Sequence, residues 1–210
     1  MANIQSIPGD ARGRRRQLIR SAIAFAASIV MLGACSPKAA SFKSTDMTGV
    51  TFAKDLRLKD HMGNVRTMAD FKGKIVVIFF GYTQCPDVCP TSMATMSEVK
   101  RLLGYKAEQL QVLFITVDPE RDTRDLLQAY MQSFDPTFLA LRPEPNELEA
   151  LATDFKIFFK KVEGKTSTSY TMDHSAGKYI FDTDGRVRLF SQYGAEAAVI
   201  AADIKVLLGA

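Results

Sequence analysis

Cys85 and Cys89 are the residues of this chain best suited to chemistry. They stand in Cys85-Pro86-Asp87-Val88-Cys89-Pro90, with three residues between them. Side chains four positions apart come onto one side of a helical turn, so both sulfurs can face the same way. That geometry suits a disulfide or a shared metal ion. The N–H groups at a helix start favour thiolate over thiol, which raises nucleophilicity and metal affinity together. A disulfide across so short a loop stabilises little, so the pair reads as a reactive site rather than a staple. Redox motifs of the thioredoxin type usually hold two residues between their cysteines. The wider pair here can grip one ion with both sulfurs, and two thiolates are soft ligands that favour Cu(I).

A third ligand would come from a histidine, and there are two. His61 lies in Lys59-Asp60-His61-Met62-Gly63-Asn64 and reads as a solvated side chain of a polar turn. His174 lies in Thr171-Met172-Asp173-His174-Ser175, just before a predicted strand at Lys178–Phe181. Two thiolates and an imidazole make a trigonal site for Cu(I) that also tolerates Cu(II). Zinc asks for four ligands, so a Cys₂His₂ site would need both histidines. Asp173 could orient a ring nitrogen as an outer partner, or be a plain surface acid. Asp118 reads as a loop-shaping acid or as a charged neighbour of the site. The nine methionines form no methionine-rich tract.

The elements that must position these residues alternate in type. Ile75-Val76-Val77-Ile78-Phe79-Phe80 is a continuous apolar run, as in a central strand buried on both faces. It leads through Gly81 into the cysteine segment. From Pro90 to Leu103 the apolar residues Met93, Met96, Val99, Leu102 and Leu103 keep helical spacing, and Gly104 ends the run. Val112–Val117 predicts a second buried strand, and Asp122 or Thr123 can cap a helix to about residue 134. A short strand at 138–141 and a helix at 146–155 follow. Two strands around Asp184-Gly185 make a hairpin, and a last helix spans about 195–208. Lys54–Thr67, with Gly63-Asn64, predicts an extra hairpin ahead of the core. This order predicts a thioredoxin-like α/β fold over residues 51–210. In that fold the loop entering the hairpin faces the cysteines, which brings His174 toward them.

The net charge of +4 comes from 27 basic and 23 acidic residues. Residues 1–34 carry five arginines and one acid, so the remainder is neutral, with 22 of each sign. The basic character belongs to the N-terminus, and nothing in the body suggests nucleic acid as a partner. Arg14-Arg15-Arg16 precedes an uncharged stretch from Ser21 to Ala34, with the proportions of a signal segment and short of a comfortable membrane span. Leu32-Gly33-Ala34-Cys35 resembles a bacterial lipobox, in which Cys35 would be acylated. The arginine cluster also resembles, more weakly, a twin-arginine export signal. Residues 35–50 then read as a tether. The mature chain would sit on the periplasmic side of a bacterial membrane, with Cys85 and Cys89 as its two remaining thiols.

Three segments, FFGYTQCPDVCPTSM, FITVDPERDT and MDHSAGKYIFDTDGRV, resemble the successive signature blocks of the Sco/SenC family. The resemblance extends from about Thr51 to Ala210. It implies a membrane-tethered, thioredoxin-like copper protein that helps assemble the binuclear copper centre of cytochrome c oxidase. The family's copper ligands fall on Cys85, Cys89 and His174. Gln84 stands where many members have histidine, at a position that is not a ligand. The lipoprotein-like leader replaces the more usual membrane helix. The implied partners are the copper-bearing oxidase subunit, a copper donor chaperone and, through the lipid, the membrane. Three functions use the same sulfurs: copper delivery, thiol–disulfide reduction of the target, and a peroxidase-like or redox-sensing role. His174 separates the first from the others, because a pure reductase needs no imidazole opposite its dithiol.

Overall fold

The computed structural model describes residues 41–53, 56–166 and 169–209. Residues 1–34, read as a leader, and Cys35, read as a lipidation site, lie outside them. Ten strands and four helices follow one another among the described residues: β1 (Thr45–Asp46), β2 (Arg57–Asp60), β3 (Val65–Thr67), β4 (Ile75–Gly81), α1 (Val88–Leu103), β5 (Leu110–Thr116), α2 (Arg124–Gln132), β6 (Leu139–Arg142), α3 (Pro145–Phe155), β7 (Phe159–Glu163), β8 (Tyr170–His174), β9 (Lys178–Phe181), β10 (Val187–Ser191) and α4 (Ala197–Leu207).

Eight strands form one sheet in the order β1-β10-β9-β4-β5-β6-β2-β3, and β7 pairs with β8 alone. β4, β5 and β6 are parallel, and β9 returns antiparallel to β4. Every residue of β4 and β5 is buried, which is what a strand covered on both faces requires. Alternation sends neighbours to opposite faces. Phe79 tilts against Phe114, which meets Tyr130 of α2, whereas Phe80 stacks edge-on against Phe155 of α3. α1 packs against α4. This is a thioredoxin-like α/β architecture, and it delivers the C-terminal end of β4 directly to the start of α1.

The expected hairpin at 54–67 is β2–β3, and the one around Asp184-Gly185 is β9–β10. Thr123, not Asp122, caps α2, its side chain accepting from the Leu126 N–H. Part of the segment read as tether is docked on the body. The N–H groups of Lys43 and Ser44 donate to the buried Asp203 carboxylate of α4, both at 2.8 Å, and β1 pairs with β10. A buried carboxylate needs such donors, and the two amides supply them. The β7–β8 pair is not signalled by the sequence, because its residues show no sustained apolar alternation.

Candidate metal centre

Gly81 ends β4 because nothing larger fits. A Cβ there would lie 2.8 Å from Cys89 Sγ and 2.8 Å from the Phe79 ring. The loop that follows is tied down at Thr83. Its N–H and hydroxyl donate to the Asp122 carboxylate, the hydroxyl at 2.6 Å, and the Thr116 hydroxyl donates to the same group. Asp122 thus couples the end of β5 to the loop carrying Cys85. Cys89 falls in the first turn of α1 as expected, and its N–H donates to Cys85 Sγ at 3.4 Å. Pro90 in the same turn lacks only an N–H that would find no intrahelical partner.

His174 arrives from elsewhere, as the last residue of β8, where it pairs with Phe159 of β7. The Ser175 N–H donates to the Phe158 carbonyl, and the Phe158 N–H donates to Ser175 Oγ, closing the end of that ladder. The imidazole stands edge-on to Phe79 and Tyr82, with ring centres 6.1 and 5.9 Å away. Its Nδ1 lies 3.0 Å from the Ser175 carbonyl. A carbonyl only accepts, so Nδ1 carries the proton and the Nε2 lone pair is left for the sulfurs. Nε2 is 3.4 Å from Cys89 Sγ. One ligand atom from each of Cys85, Cys89 and His174 lies within 4.8 Å of the others, and this is the single such group among the described residues.

Both cysteines are free thiols. The hydrogen bond from the Cys89 side chain holds Cys85 far below the usual thiol range, at about 4, with the Asp87 and Cys89 backbone N–H groups assisting. The same bond, together with burial, pushes Cys89 upward. One proton is therefore shared by two sulfurs and resides on Cys89. Cys85, partly buried, is then the more nucleophilic of the two sulfurs. A cation gripping both sulfurs must displace the Cys89 proton.

The remaining sequence candidates fall differently. Asp173 is exposed, because strand alternation turns it away from His174, and the Ser175 carbonyl takes the orienting role read for it. Asp118 is buried and touches neither cysteine. It binds the Arg121 guanidinium and accepts from the Tyr170 hydroxyl at 2.8 Å, tying the end of β5 to β8. It fixes the strand that carries the imidazole. His61 is not solvated. It is 8% exposed, its Nδ1 accepts from the Ala140 N–H at 3.1 Å, and its own N–H donates to the Ala140 carbonyl at 2.9 Å. Burial accordingly lowers its basicity. It belongs to β6 packing and not to the cysteine cluster, so the four-ligand zinc arrangement does not form. Asp122 and Arg121 were missed as site-shaping residues. Their signal was the pairing of buried-strand residues with an acid-rich turn in Thr116-Val117-Asp118-Pro119-Glu120-Arg121-Asp122.

The SCO1/SenC family model matches residues 45–209. ScoI of Bradyrhizobium japonicum, solved with copper bound, is 41% identical, with a TM-score of 0.69 over 75% of this chain and 99% of that one. Yeast Sco1, also solved with copper bound, is 27% identical, with a TM-score of 0.69 over 77% of this chain and 90% of that one. A SCO2-like protein of Rickettsia felis is 34% identical over 138 residues, which is 65% of this chain and 67% of its own length. With most of its length matched and its fold shared, the chain belongs to the SCO1/SenC family.

Proposed function

We propose that this protein binds one copper ion through Cys85, Cys89 and His174 and delivers it to the binuclear copper site of cytochrome c oxidase. The observation that supports this most is the convergence of two sulfurs and an imidazole nitrogen within 4.8 Å from two separate parts of the chain. Two thiolates hold Cu(I), and the nitrogen keeps the ion bound as Cu(II). Delivery proceeds by ligand exchange: a target thiolate replaces His174 first, because that ligand is carried on a peripheral strand pair. Copper-loaded full chain mixed with the metal-free oxidase subunit tests this. Copper should appear on the subunit, with its visible spectrum. A subunit that stays metal-free while the chain keeps its copper contradicts delivery.

A second reading rests on the partly exposed low-pKa thiolate beside a buried thiol. Cys85 attacks a target disulfide, forming a mixed disulfide and releasing one target thiolate. Cys89 gives up its proton, attacks the Cys85 sulfur and releases the second target thiol. Two electrons pass to the target, and Cys85–Cys89 is left as a disulfide. The same subunit, supplied oxidised, distinguishes the two activities. On the periplasmic side, Cys35 carries the lipid in this account. Cys35→Ser should leave the membrane fraction, and its retention there would refute a lipid anchor.

A further inference from the structure

Lys178 opens β9, four residues after His174, and its side chain is 1% exposed. Among the described residues no carboxylate pairs with it and no oxygen accepts from it. Its ammonium lies 5.6 Å from the centre of the Phe79 ring. A buried, unpaired ammonium is costly, and burial does lower its pKa, to about 8. It is nevertheless still charged at neutral pH. Ser92, on the first turns of α1, is also buried, and its hydroxyl has no partner. Both residues line one cavity of about 330 Å³. Its opposite wall is the start of α4, where Glu196 occupies the cap position but makes no side-chain cap. The first N–H groups of a helix have no intrahelical acceptor and carry the positive end of its dipole.

We propose that this cavity binds a small oxyanion, held by Lys178 Nζ, Ser92 Oγ and the first N–H groups of α4. Each supplies a donor, and an anion satisfies all of them at once. Two acids share the lining. Glu98 is engaged by Arg101 through bonds of 2.7 and 2.6 Å. Glu196 is the native competitor, since its carboxylate could turn inward onto Lys178. Phosphate and carboxylate share the required chemistry.

The test is a titration of the copper-free full chain with inorganic phosphate, and separately with acetate, against chloride of equal ionic strength. The readouts are the Ala197 and Ala198 amide resonances and the thermal midpoint. A saturable shift of both amides is expected, with the midpoint rising by roughly 5–10 °C at a ligand concentration about a hundred times the dissociation constant. Tighter phosphate identifies a phosphate site, and tighter acetate a carboxylate site. Lys178→Met removes a buried charge and should weaken binding at least about tenfold. Ser92→Ala should weaken it roughly threefold, and Glu196→Gln should strengthen it by a similar factor. No saturable amide shift, or a Lys178→Met response equal to the native one, overturns the proposal. Should that variant not fold, equal affinities in Ser92→Ala and Glu196→Gln would overturn it as well.

Discussion

The cysteine side and the histidine side of the site are built on different terms. Cys85 and Cys89 hang from β4 and α1, the most deeply packed part of the molecule, where every residue of β4 and of its neighbour β5 is buried. His174 is delivered by a two-stranded ladder in which Met172 is the one buried residue. The cysteine loop is fixed by a buried carboxylate, the histidine strand by the Tyr170–Asp118–Arg121 set at its edge. Local stability follows packing, so the strand pair opens at lower cost than the core. In the proposed copper site the two sulfurs are thus held by the core, and His174 is the ligand that can let go.

Cys89→Ser should lower Cu(I) affinity by roughly a thousandfold, because a thiolate ligand is lost outright. Competition with a chromophoric chelator measures it, and an unchanged affinity would remove Cys89 from the site. His174→Ala should cost about a hundredfold in the same assay, while the Cys85–Cys89 disulfide still forms on oxidation. An inability to form that disulfide would mean that the imidazole also shapes the cysteine side.

The two thiols should differ in reactivity toward iodoacetamide in the metal-free protein. Cys85, with its pKa depressed to about 4, is a thiolate above that value. Its alkylation rate should stay flat from about pH 5 to 8 and fall only toward about 4, whereas an ordinary cysteine gains about tenfold per unit up to about 8.5. Mass mapping should find Cys89 unmodified on that timescale, and a steep rise through neutral pH would contradict the shared-proton arrangement. The smallest effects separate the two supports. Asp122→Ala orphans three donors and should lower stability by about 2–4 kcal/mol in urea unfolding. Tyr170→Phe should cost no more than about 1 kcal/mol, yet weaken copper roughly threefold through the histidine strand alone. Equal effects of both variants on copper would erase the distinction.

What could be read from the residues alone follows from how local each signal is. The run at 75–80, the cysteine spacing, the helix after Pro90 and the Asp184-Gly185 turn are short-range patterns, and each has its counterpart in the fold. The strand pair bearing His174 carries little signal, because Phe159–Glu163 and Tyr170–His174 bury almost nothing and show no apolar face. His61 looked solvated because its neighbours in sequence are polar, whereas its partner Ala140 stands 79 positions away. Asp122 looked like a cap for the same reason, since the hydroxyl of Thr83 lies across the site. Asp173 and His174 are adjacent in sequence but point to opposite faces of a strand, which only the β assignment reveals.

X-ray absorption of the Cu(I)-loaded full chain tests most directly whether His174 supplies the third ligand. One copper per chain, surrounded by two sulfurs and one nitrogen, is the predicted result, with the nitrogen lost in His174→Ala. A two-sulfur linear site in the native protein, unchanged in that variant, would contradict it.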